Sequence, residues 1–206
     1  NKKITLTIDT ESRLDRDSKN RKNFGSVVPS IIYHELQLDR FFNNKQRHEN
    51  FKFNSNSIAR VLVYARLLYP CSKKATVEIK DYFFDKADFS LDDVYNCLTH
   101  FSKIAEDAQQ FIHNQIVKQY ERKTELIYYD VTNYYFEIDK PDDFRKKGAC
   151  KSHSNKPIVQ MGLAVDNQGI PISYQLFEGN THDSQTLMPT LKRIKKQYQT
   201  ERIIVV

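Results

Sequence analysis

Residues 126–139 read LIYYDVTNYYFEID, and this stretch limits the fold more than any other in the chain. Tyr, Val, Ile and Thr dominate it, side chains that suit an extended, pleated backbone. Apolar and aromatic residues fall on both of its faces, which predicts a central strand covered on both sides. Asp130 stands in the middle of it. An ionised carboxylate there is costly without a cation, a hydrogen-bond network or an open strand edge. The ordinary explanation is pairing with a local Lys or capping of a backbone amide.

Upstream the hydrophobic period is helical, from about residue 24 to 122. Ile58, Val61, Leu62, Ala65 and Leu68 follow the i, i+3, i+4, i+7 rule, with Ser55 or Ser57 as the expected cap and Pro70 as the stop. Ser72 is placed to cap a following helix. Ser90 with Asp93 three positions on has the form of a capping box, opening a helix with Leu91, Val94, Tyr95, Leu98 and Phe101 on one face. Ile104, Ala108, Phe111, Ile112 and Ile116 make another stripe. These stripes read as the core of a helix bundle. Residues 1–23 are a polar arm or linker, with a short alternating piece at Ile4, Leu6 and Ile8 that suits an edge strand.

Downstream of residue 123 the pattern is extended again. IVQMGLAV and IPISYQLFEG flank the turn sequence DNQG, which reads as a hairpin with Asp166 in a structural role. Leu187, Leu191 and Ile194 restore a helical period, capped by Thr181, Asp183 or Ser184. RIIVV then begins another strand. Strand, hairpin, helix and strand in that order predict an α/β layer with a mixed sheet, preceded by an all-helical region.

Net charge is +6, a balance compatible with a polyanionic partner. Arg145, Lys146, Lys147, Lys151 and Lys156 form a cluster of one sign between the first two strands. Two readings of it stay open, a phosphate-binding loop and a solvated hairpin loop. Lys192, Arg193, Lys195 and Lys196 read as the solvated face of the last helix. Glu137 and Asp139 read as solvated, Glu178 as the end of a strand, and His182 as a surface residue. Three widely spaced cysteines give no disulfide framework and suit a reducing compartment. Cys150 and His153 have C-x-x-H spacing, but no second pair lies nearby to complete a zinc site. No apolar run approaches the ~20 residues of a membrane helix. The missing initiator Met and the apolar last residues suggest a piece of something longer.

YYDVTNYYFE, followed about fifty residues later by FEGNTHDSQTL, resembles the insertion-sequence DDE transposases, bacterial cut-and-paste enzymes with an RNase H-like catalytic domain. The likeness covers residues 124–206 and, more loosely, the helical part from about residue 24. It implies that residues 123–206 are the N-terminal part of the catalytic domain and that residues 24–122 bind element ends or assemble the synaptic complex. Asp130 matches the family's first catalytic carboxylate, a ligand of two Mg²⁺ or Mn²⁺ ions, with Thr132 on the same face. Two cations held by carboxylates can stabilise the attacking and leaving oxygens of phosphodiester cleavage. The family's second Asp follows the fourth strand and its Glu lies on a later helix; neither occurs before Val206. The implied partners are double-stranded DNA (terminal inverted repeats and target) and further copies in a synaptic complex, with a bacterial cytoplasmic, nucleoid-associated location. The competing reading is a non-catalytic DNA-binding or oligomerising remnant that inhibits an intact transposase. A third is another RNase H-like nuclease, such as a resolvase.

Overall fold

A computed structural model describes residues 11, 22–138, 140–148, 156–181 and 183–205. The chain forms two compact units, residues 1–104 and 105–206. The first holds α1 (Val27–Glu35), α2 (Leu38–Gln46), α3 (Ser55–Leu68), α4 (Lys73–Glu78) and α5 (Leu91–Lys103). The second holds α6 (Ala105–Tyr120), β1 (Leu126–Tyr135), β2 (Ile158–Val165), β3 (Pro171–Glu178), α7 (Asp183–Gln197) and β4 (Arg202–Val205). No described helix is long and apolar enough to cross a membrane. The expected strand at Ile4, Leu6 and Ile8 lies outside the described residues.

In the first unit α3 is the central helix. Ile58, Val61, Tyr64 and Ala65 are buried with Phe83, Phe89, Val94 and Cys97. The cap of α3 is Asn54, whose side chain accepts from the Ser57 amide at 2.9 Å; neither expected serine serves. Asn caps as well as Ser, and Ser55 is instead buried, its hydroxyl donating to Gln46 Oε1 at 2.9 Å. The box at Ser90 and Asp93 is present, as its spacing predicts. Ser72 caps α4, accepting from the Ala75 amide at 3.2 Å. On α5 the buried positions are Val94, Cys97 and His100, whereas Tyr95 is exposed.

The second unit is a four-stranded mixed sheet in the order β3-β2-β1-β4. β1, β2 and β3 form an antiparallel meander, and β4 runs parallel to β1 after the crossover through α7. This is the α/β class the sequence predicts. One face of the sheet is packed: Ile127, Tyr129, Ala164, Ile172 and Ile203 meet Leu187, Leu191, Ile194 and Tyr198. Gly162 makes room there, since a Cβ on it would lie 1.9 Å from Tyr129 Oη. The stripe on α6 belongs to this unit. Gln109 Oε1 accepts from the Tyr174 amide at 2.8 Å, and the His113 ring packs edge-on against Tyr198 at 4.7 Å.

The hairpin turn at 166–170 uses Asp166 twice over. Its Oδ1 accepts from the Gln168 and Ile170 amides at 3.0 and 2.9 Å, and Gly169 supplies the positive φ of 79°. Its Oδ2 lies 2.9 Å from Arg122 Nε in a fully buried ion pair. Asp166 is therefore a core residue as well as a turn residue.

Candidate functional site

Asp130 lies on β1, an interior strand, opposite Leu163 of β2. On its other side β1 pairs in parallel with β4 from Leu126 and Arg202 to Tyr129 and Val205, the last described residue. The expected cover on both faces is not found. Asp130 and Thr132 are exposed, as are Tyr134, Tyr174, Leu176 and Ile204 on the same face. Even-numbered β1 residues share this face, and no described helix of this unit packs over it. The residue is exposed, which removes the desolvation cost that an enclosed strand would impose on its carboxylate.

Neither ordinary explanation for Asp130 holds among the described residues: it makes no ion pair with a Lys and caps no amide there. The same residues contain no group of three or more His, Cys, Asp or Glu side chains able to hold a metal ion. Glu178, on the same face, is two strands across and four residues along from Asp130, a separation of roughly 16 Å at ordinary strand spacing and rise. A single exposed carboxylate does not meet the several-oxygen requirement of Mg²⁺, so the described donor set does not by itself fit a divalent pair.

The basic segment follows the far end of β1. Lys146 bridges to Ile158 at the start of β2, about five strand residues, or ~16 Å, beyond Asp130. Three of its cations, Arg145, Lys146 and Lys156, are paired with carboxylates. Arg145 Nε donates to Asp142 Oδ2 at 2.6 Å and its guanidinium lies over the Phe136 ring. That guanidinium, with the Arg145 and Phe144 amides, holds the Asp142 carboxyl down to about 2. Lys146 Nζ meets Glu178 Oε2 at 2.5 Å and Lys156 Nζ lies 3.4 Å from Glu137 Oε2. Lys147 is exposed and has no ion pair among the described residues. Lys151, Asp139, Cys150, His153 and His182 lie outside the described residues. All three pairs are at least partly exposed, the class of ion pair that solvent and salt screen most, so an incoming phosphate can exchange with them at small cost.

Arg193 departs from the solvated role expected of it. It joins Glu106 of α6 and Gln175 of β3, each at 2.8 Å. No sequence pattern points to Arg122. Its side chain is buried, pairs with Asp166, donates to the Pro171 carbonyl at 2.9 Å and approaches His113 Nδ1 at 3.4 Å. Burial lowers the Arg122 pKa despite its partner. Burial and the neighbouring guanidinium bring His113 down to about 4. This cluster holds α6 to the hairpin and is structural.

No family model matches the chain, and no curated protein matches it. Among solved structures it aligns with a chain of the pre-cleavage Mos1 transpososome at 15% identity and a TM-score of 0.24, covering 74% of this chain and 49% of that one. The Mos1 mariner paired-end complex with Mn aligns at 16% identity and a TM-score of 0.22, covering 88% and 62%. This chain therefore spans about half to three fifths of the length of those chains. At such TM-scores the fold has to be argued from this chain's own strand order and directions.

Proposed function

We propose that this chain is part of a DNA-processing enzyme of the DDE transposase kind, with an RNase H-like sheet and Asp130 as its first catalytic carboxylate. The observation that carries the reading is the placement of Asp130: an interior strand, an exposed face, and no structural partner among the described residues. The strand order, with an antiparallel meander followed by a helix and a parallel strand, supports the RNase H-like assignment. In this reading Asp130 contributes one oxygen ligand to Mg²⁺ or Mn²⁺, which would stabilise the charge that develops in phosphodiester cleavage. The remaining ligands are not among the described residues. Arg145, Lys146, Lys147, Lys151 and Lys156 bind the phosphates of double-stranded DNA, trading their carboxylate partners for the polyanion. The basic segment, which needs no metal to bind phosphates, also suits a second reading, a DNA-binding or oligomerising product that inhibits an intact transposase.

The test is DNA binding as a function of salt. Replacing Arg145, Lys146 and Lys147 with Ala should weaken binding and flatten the slope of log K against log salt by roughly one unit for each phosphate no longer neutralised. Unchanged affinity and slope would make the segment a solvated loop. In a nicking assay with Mn²⁺ the 206-residue chain should be inactive. Nicking that disappears in Asp130→Asn would show that the chain carries a complete site among carboxylates assigned here to other roles.

A further inference from the structure

We infer that the DNA held by the basic segment has an unpaired flank, whose free bases stack on Tyr134 and on the rings beside Arg145. The inference rests on the DNA-binding reading and adds to it the kind of DNA. Tyr134 lies on the Asp130 face, four residues further along β1, about 13 Å at ordinary strand rise. It is 47% exposed, and Phe144, next to Arg145, is 41% exposed. Neither ring packs against another ring among the described residues. Phe136, just beyond the end of β1, carries the Arg145 guanidinium over its ring at 5.4 Å. The order from Asp130 towards the basic segment is therefore carboxylate, tyrosine, then arginine on an aromatic ring. Backbone pairing fixes that order. Tyr134 stands opposite Val159 of β2, and the adjoining Ile158 exchanges both of its backbone hydrogen bonds with Lys146, at 2.9 and 3.2 Å.

The mixture of rings and cations selects the occupant. Arg145, Lys146 and Lys147 follow one another without an acid between them, and Lys147 is exposed with no ion pair among the described residues. That is a surface for phosphates. A fully paired duplex would use the cations and leave the rings idle, because its bases are already stacked on one another. An unpaired strand offers phosphates and free base faces together, and a basic surface interleaved with aromatic side chains is what binds it. The Arg145 guanidinium, flat over Phe136, is a second surface of the kind on which a base stacks. Charge alone works against this preference. A single strand gives a smaller electrostatic term per neutralised phosphate than a duplex does, so tighter binding of an unpaired flank has to come from its bases.

The experiment is fluorescence anisotropy of the full 206-residue chain with three DNA probes of equal phosphate number. One is a blunt duplex, one a duplex with a single-stranded thymidine tail, and one the same tailed duplex with abasic sites in the tail. The thymidine tail is expected to tighten binding about five- to a hundredfold for each stacked base. The abasic tail should lose that gain with its phosphates unchanged. Tyr134→Ala should lose it too and Tyr134→Phe keep it, both with unchanged circular dichroism because the ring is exposed. Equal binding of the blunt and tailed duplexes, or of the thymidine and abasic tails, would overturn the inference, and both comparisons use the wild-type chain. So would a folded Tyr134→Ala variant that keeps the full gain. Failure of the underlying DNA reading looks different: none of the three probes binds, and both readings fall together.

Discussion

Replacing Asp166 with Ala tests the most heavily loaded polar cluster of the second unit. The carboxylate is 3% exposed and the Arg122 side chain 1%. The substitution removes one member of a buried pair and leaves the guanidinium among apolar neighbours, with the Pro171 carbonyl and His113 as its remaining partners. Breaking such a pair costs about 3–5 kcal/mol. It also frees the Gln168 and Ile170 amides in a turn, where water can partly replace the missing acceptor, so the total expected is about 4 kcal/mol or more. Arg122→Met is expected to cost less, about 2–3 kcal/mol, because the carboxylate keeps both amide donors. The assay is urea denaturation followed by circular dichroism, with hydrogen exchange at Ala164 and Ser173 as the local readout for β2 and β3. A destabilisation under about 1 kcal/mol for Asp166→Ala would refute the buried-pair reasoning. An Arg122→Met variant damaged as badly as Asp166→Ala would show that the turn amides do not support the carboxylate.

Two further perturbations follow from the same unit. His113 titrates near 4 in the folded chain, below its ordinary 6.5, so the unfolded chain binds more protons between those values. Stability should therefore rise with pH through that window and be lost as pH falls, and His113→Gln should remove the slope; a flat wild-type profile would contradict this. Gly162→Ala places a Cβ against the buried Tyr129 ring and should cost about 1–3 kcal/mol with a change in tyrosine fluorescence; a neutral result would show that the ring has room to move.

Local signals in the sequence carry most of the architecture. The stripe through Ile58, Val61 and Ala65 and the box at Ser90 and Asp93 involve neighbours on one helix, and the run of Tyr, Val, Ile and Thr around Asp130 marks a strand. What the sequence does not reveal depends on partners distant along the chain. Arg122 and Asp166 are 44 residues apart, and nothing near either predicts the other. The basic segment contains no acid, yet Glu178, 32 residues away, reaches Lys146 and Glu137 reaches Lys156. An apolar period likewise shows that a face can be buried, not which element will cover it. α6 reads as part of the bundle, yet Gln109 and His113 tie it to β3 and to Tyr198 of the sheet unit. The Asp130 face reads as doubly covered but is open.

The central claim is that Asp130 is kept for a cation at the DNA rather than for the fold. The direct measurement is a Mn²⁺ titration of the chain followed by NMR, with and without bound DNA. A weak single-carboxylate site is visible there through paramagnetic broadening. Asp142, Glu178, Glu137 and Asp166 are already paired with cations, so the amides of Tyr129, Asp130 and Val131 should broaden first, more strongly with DNA present. Asp130→Asn should abolish that broadening while leaving the fold and DNA affinity intact. Broadening that begins elsewhere and is unchanged by Asp130→Asn, or a variant that loses its fold, would contradict the claim.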